Sequence, residues 1–124
     1  MGIVYNSLVI AGSNAREAYM RVKKDVPAKM IIKDKSWIVG NVYSIEFYTG
    51  DDCYDTSTIK QIENVEVFNY ILDIEKKICG YMSEDVGYQK GTYQIGKEML
   101  RINRQAMKQR DKFIKKCIGK YNKI

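Results

Sequence analysis

The stretch Trp37-Ile38-Val39-Gly40-Asn41-Val42-Tyr43-Ser44-Ile45-Glu46-Phe47-Tyr48 decides the fold. Its residues sort into two faces, Val42, Ser44, Glu46 and Tyr48 against Tyr43, Ile45 and Phe47, which is the period of a strand. This spacing predicts one long strand, bent at Gly40, with its aromatic face buried. Around it, Lys29–Lys33 and Thr56–Ile62 read as further strands, separated from it by the turn residues Asp34-Lys35-Ser36 and Thr49-Gly50-Asp51-Asp52.

Working outward towards the N-terminus, Pro27 ends whatever precedes it. Ala15, Ala18, Tyr19 and Val22 fall at i, i+3, i+4 and i+7, and Asn14 with Glu17 resembles a capping box, so a short helix to about Lys24 is expected. A hairpin strand over Ala18–Lys24 is the alternative. Residues 2–10 are β-branched and aromatic, stop at Ala11-Gly12-Ser13-Asn14, and form a first strand.

Towards the C-terminus, Asn64 is a good N-cap. Phe68, Ile71, Leu72, Ile78 and Cys79 keep a 3.6-residue period up to Gly80, which predicts a helix over 65–79. Residues 80–96, with Gly80, Gly87, Gly91 and Gly96 among Tyr81, Tyr88 and Tyr93, read as a loop. A last helix over 97–118, closed by Gly119, carries Met99, Ile102, Ala106, Phe113 and Cys117 near one seam, widened by Leu100, Met107, Ile114 and Ile118. The expected class is α+β: a single domain, 1–124, whose N-terminal antiparallel sheet (about 2–62) packs with two C-terminal helices, the last one long and basic.

At 124 residues and 45% apolar content, such a chain can bury one core without staples. Cys53, Cys79 and Cys117 are odd in number and lack metal-type spacing, so they read as buried hydrophobes in a reducing compartment. No apolar run approaches the ~18 residues of a membrane span, and no basic residues precede the apolar start. A cytoplasmic protein is expected, with no membrane partner.

Charge is uneven. Residues 97–124 hold ten basic residues against Glu98 and Asp111, a net of +8 within a chain of net +6, so the other 96 residues carry −2. A neutral body with a cationic last quarter suggests an anionic partner, or else a solvated face that keeps the protein soluble.

The chain has no His, which removes the usual general base, the commonest zinc ligand and the usual pH switch. No nucleophile–base motif is present, and catalytic residues, cofactor and metal are all expected to be none. Asp51, Asp52 and Asp55 lack the spacing of a calcium loop and read as a solvated turn. Glu84 and Asp85 are adjacent, and adjacent side chains diverge, so they make a poor acid–base pair.

The Gly/Tyr segment interleaves two residue types that nucleotide binding uses. Glycine lets backbone N–H groups approach phosphates, and a tyrosine ring stacks on a base for ~1–3 kcal/mol. It has neither a Walker A loop nor a Rossmann fingerprint; the alternative is a surface loop whose tyrosines pack on the sheet. Beside it, Lys97, Arg101, Arg104 and Lys108 recur at i, i+4, i+7 and i+11 as a basic stripe at the start of the last helix, where guanidinium forks and the helix N-terminus favour phosphate. Tyr81, Tyr88, Tyr93, Lys97, Arg101, Arg104 and Lys108 are therefore candidate ligand contacts. Asn103, off the stripe, reads a base edge or ribose hydroxyl if a second chain covers it. Arg110 faces elsewhere, and with Arg16 and Arg21 it is a candidate for a second anion site. Six methionines and the wide seam suggest packing against a second copy, or simply against the chain's own sheet.

In size and order of elements, from Trp37–Tyr48 through the segment 80–96 to the basic helix beginning Lys97-Glu98-Met99-Leu100-Arg101, the chain resembles the phage anti-Thoeris sponge proteins of the first type. The resemblance implies a homo-oligomer, dimeric or built from dimers, in the cytoplasm of an infected bacterium. It implies binding of an intact cyclic ADP-ribose signal (glycocyclic ADP-ribose) in pockets shared between protomers, blocking Thoeris immunity, with cyclic oligonucleotides at a separate site in some members. A basic nucleic-acid-binding module and a protein inhibitor of a mobile element are the alternatives.

Overall fold

A computed structural model describes residues 4–50, 54–73, 78–83, 87–90 and 97–122, and over 72–103 the backbone alone. Among the described residues, six antiparallel strands form one sheet: β1 (Val4–Ala11), β2 (Trp37–Val39), β3 (Val42–Thr49), β4 (Glu66–Asp73), β5 (Ile78–Ser83) and β6 (Gly87–Lys90), in the order β2-β3-β1-β4-β5-β6. Three α-helices accompany it among the described residues: α1 (Ala15–Asp25), the single turn α2 (Ser57–Lys60) and α3 (Lys97–Tyr121). The α+β class, the N-terminal antiparallel sheet and the long basic last helix stand as expected.

β1 lies at the centre because it is apolar on both faces. Leu8 and Ile10 point to one side, where Ala15, Ala18 and Val22 of α1 pack with Tyr43, Ile45, Phe47, Ile59 and Val67. Val9 and Ala11 point to the other, where Ala106, Phe113 and Cys117 of α3 pack with Val42, Phe68 and Tyr70. The two helices therefore sandwich the sheet. Each fully buried Leu, Ile or Phe contributes roughly 1.5–3 kcal/mol, so both layers matter to stability.

Several expectations are corrected. The predicted helix over Val65–Cys79 is replaced by strands β4 and β5, with β4 paired to β1 along its whole length from Ala11↔Glu66 to Val4↔Asp73. A strand covered on both faces loses the alternation that marks a half-exposed one, and its run of apolar residues imitates a helical period by chance. Asn64 is no cap; it takes φ 60°, a left-handed turn conformation that asparagine tolerates better than most residues. The sheet consequently runs past residue 62, and the predicted loop over 80–96 contains the end of β5 and all of β6.

The predicted strand 37–48 is a hairpin, β2 and β3 joined by Gly40-Asn41 in the register Val39↔Val42. Gly40 has φ +56° at the first of the two central positions, where a type II′ turn needs glycine. Lys29–Lys33 is not a strand: short 3-10 turns at Ala28–Met30 and Lys33–Lys35 flank a single bridge, Ile31↔Phe47. Thr56–Ile62 holds α2 instead of a strand.

Residues 15–24 are helical, but no capping box forms, and the Asn14 amide donates 2.7 Å to the carbonyl of Glu63. α3 runs through Gly119 without stopping. No described helix is long and apolar enough to cross a membrane.

Candidate functional site

α3 is built with two chemically distinct faces. Its inner seam reads Ala106, Arg110, Phe113 and Cys117, spaced i, i+4, i+7 and i+11, all buried, with the Phe113 ring 5.8 Å from that of Phe68. Arg110 thus faces away from the outer stripe, as expected, but it occupies a buried position in the apolar seam and not a second exposed surface. Arg16 and Arg21 are exposed on α1, on the other side of the sheet, so these three arginines form no common anion site.

Under the helix, Arg110 Nη2 donates 2.8 Å to Ser44 Oγ, while its Nη1 stands 3.9 Å from Asp111, which lies out in solvent. The strand alternation that puts Ser44 on this face also places Glu46 and Ser7 there, directly paired across β1 and β3. Burial raises the Glu46 carboxyl above its ordinary value, and the charge of Arg110 offsets this only in part. On this face two buried polar atoms, Arg110 Nε and Ser7 Oγ, have no hydrogen-bond partner among the described residues. Leaving such a group unpaired costs about 1–3 kcal/mol each. Next to them lies an aromatic cluster, Tyr5 against Tyr48 at 5.8 Å and against Tyr70 at 6.2 Å, both edge-on. The mouth of the cluster is partly open, since Tyr5 and Tyr48 are only half-buried.

The outer face carries Arg104, Lys108, Lys112 and Lys115, all exposed, and none has a salt bridge or side-chain hydrogen bond among the described residues. Lys97 and Arg101 lie on the same helical stripe by backbone position, so the cations continue beyond the four expected from the sequence. Lys116 and Lys120 differ, for both pair with Glu66 of β4, at 3.5 and 3.0 Å, and Tyr121 donates to the same carboxylate. Burial raises Glu66, but the Tyr121 and Lys120 hydrogen bonds and the two lysine charges outweigh it and hold the carboxyl below its usual value. Asn122 fixes the helix end: its amide donates 3.1 Å to the Val39 carbonyl and its Oδ1 accepts from the Asn41 N–H at 3.1 Å.

The remaining candidates are placed by backbone. Tyr81 pairs with Tyr70 and with Gln89, and so shares the cross-strand row of Ser7 and Glu46. Tyr88 pairs with Met82 one row away, so the two tyrosine positions have opposite parity in the pleat. Asn103 lies on α3. Tyr93, Asp51, Asp52, Cys53, Glu84 and Asp85 lie outside the described residues. Among those described, Cys117 is buried, and no cluster of metal-ligating side chains occurs.

Arg110 was a candidate from the sequence, but its grouping with Ser7, Ser44 and Glu46 was not. One signal was available: the apolar seam has a gap between Ala106 and Phe113, and Arg110 fills it. No family model, curated protein or solved structure matches this chain.

Proposed function

We propose that the protein binds an anionic nucleotide of the cyclic ADP-ribose type and sequesters it uncleaved, as a phage anti-defence sponge would, denying the signal to Thoeris immunity. The observation that carries this reading is the stripe of exposed cations from Arg104 to Lys115 on α3, unpaired among the described residues, on a helix whose far end is anchored to the sheet. An anchored helix holds the roots of the guanidinium and ammonium side chains at fixed spacing, so a diphosphate meets them with less ordering cost than on a loose segment. The chain's lack of His and of any nucleophile–base motif favours storage over turnover. By the same resemblance, the working unit is a homo-oligomer whose protomers share the pocket, and cyclic oligonucleotides occupy a second site.

Calorimetric titration with glycocyclic ADP-ribose isomers and linear ADP-ribose tests the reading. Release by heat followed by mass spectrometry then reports the ligand's fate. Tight binding with intact release supports sequestration, a cleaved product means an enzyme, and absence of binding removes the proposal. Arg104→Ala should weaken binding by about 1.5 kcal/mol or more, because a charge-assisted contact is lost.

One observation favours a nucleic-acid ligand as the second reading. The exposed cations run from Arg104 to Lys115, roughly 16 Å along the helix at ~1.5 Å per residue, longer than one diphosphate. Such a line of charge suits a phosphate backbone.

A further inference from the structure

The stripe explains how a phosphate is held and leaves the cluster beneath α3 without a task. Arg110 and Glu46 together are close to neutral, so this cluster is not a second phosphate site. It offers one N–H donor at Arg110 Nε, one hydroxyl at Ser7 and one carboxyl at Glu46, beside the edge-on rings of Tyr5, Tyr48 and Tyr70. Donor, acceptor and aromatic surface in one place match an uncharged group that itself carries donors and acceptors and a flat or ring-shaped body. A nucleoside is such a group, through its base edge or its ribose hydroxyls.

We infer that Arg110, Glu46 and Ser7 form the recognition element for the nucleoside part of the ligand, reached past Tyr5 and Tyr48, while the outer stripe of α3 holds its phosphates. The inference rests on the nucleotide-binding reading above and adds which residues select the uncharged moiety. Two unpaired polar atoms buried on the same face of the sheet are costly to the free protein, and a ligand that completes them recovers that cost only when bound. Glu46 accepts a ligand N–H or O–H, Arg110 Nε donates to a ring nitrogen or oxygen, and Ser7 does either.

The test is titration of three probes, ADP-ribose, adenosine and inorganic pyrophosphate, into the wild type and into Ser7→Ala, Glu46→Gln, Arg110→Lys and Arg104→Ala, with a melting curve for each variant. Ser7→Ala is the decisive variant, since removing an unpaired hydroxyl leaves the free protein as stable as before or more so. The expected result is a loss of tenfold or more in affinity for ADP-ribose and adenosine in Ser7→Ala and Arg110→Lys, with pyrophosphate binding unchanged. Arg104→Ala should weaken pyrophosphate and ADP-ribose and spare adenosine. If Ser7→Ala and Glu46→Gln bind all three probes like the wild type, the cluster is a structural element and the inference falls while nucleotide binding stands. If the wild type binds neither these probes nor glycocyclic ADP-ribose, the nucleotide reading falls and takes this inference with it; if it binds only the cyclic isomer, the variants are read against that isomer by the same criteria. A lower melting temperature in Ser7→Ala overturns the assignment too, for it would show that the hydroxyl already serves the free fold.

Discussion

Asn122, just past the end of α3, holds the hairpin turn at Gly40 and Asn41 by side-chain bonds to the Val39 carbonyl and the Asn41 N–H. A β-carbon at Gly40 would collide with Asn122 Oδ1, and φ +56° is itself unfavourable for other residues. Gly40→Ala should therefore destabilise the protein by about 1–3 kcal/mol, measured by urea unfolding. Gly119 has open space around it and sits within a helix, so Gly119→Ala should stabilise by about 0.5–1 kcal/mol in the same assay.

The two buried-face carboxylates should respond to pH with opposite sign. Glu66 has a folded-state value below its ordinary 4.5, so its contribution is present at neutral pH and is lost as pH falls through that lowered value. Glu46 is raised, so its site favours the fold most below 4.5 and opposes it as pH rises through the raised value. At pH 7, Glu66→Gln should lower the melting temperature and Glu46→Gln should raise it. Both differences should disappear in acid, and a calorimetric series across pH 3–7 checks this.

Arg110 lowers Glu46 through its charge, against the larger effect of burial. Arg110→Met keeps the packed volume and removes that charge, so the Glu46 carboxyl should titrate at still higher pH, followed by carbon NMR of the side chain. An unchanged titration would show that the guanidinium does not sense the carboxylate across the cluster.

Phe113 and Phe68 join α3 to the sheet, and both are buried. Phe113→Ala should cost about 3–5 kcal/mol in urea unfolding, since a cavity opens where the rings met. Truncation of exposed Met107 on the same helix should change stability by less than about 0.5 kcal/mol.

Salt separates the two functional readings. A compact diphosphate contact should weaken little between 50 and 200 mM salt. A nucleic acid lying along Arg104, Lys108, Lys112 and Lys115 should lose affinity with a log–log slope of about −0.9 per phosphate neutralised on duplex DNA. Titration at three salt concentrations measures the slope.

Elements that leave one face to solvent were legible in the sequence. α1 has its apolar residues on one stripe, and the outer cations of α3 obey a simple helical spacing. β4 was illegible because α3 covers one of its faces and the other is buried as well, which erased the alternation a strand usually writes. In Trp37–Tyr48 the two faces were read correctly, yet only the aromatic face was expected to be buried, and a helix sixty residues later buries Ser44 and Glu46 on the other. Arg110 was hidden for the complementary reason: a cation in an apolar seam looks like surface until its partner on another strand is known. Local spacing reports local exposure, and these residues owe their environment to pairings far away in the chain.

Because α3 follows the six described strands in chain order, a nascent chain emerging from a ribosome presents Val9, Phe68 and Tyr70 bare until the helix is synthesised. Together with a central strand that must wait for both of its neighbours, this makes folding late and concerted, and it exposes an adhesive surface during synthesis. Production of the protein should therefore depend more on chaperone supply than its small size suggests. Supplying α3 as a separate segment would be a direct way to rescue a chain truncated before it.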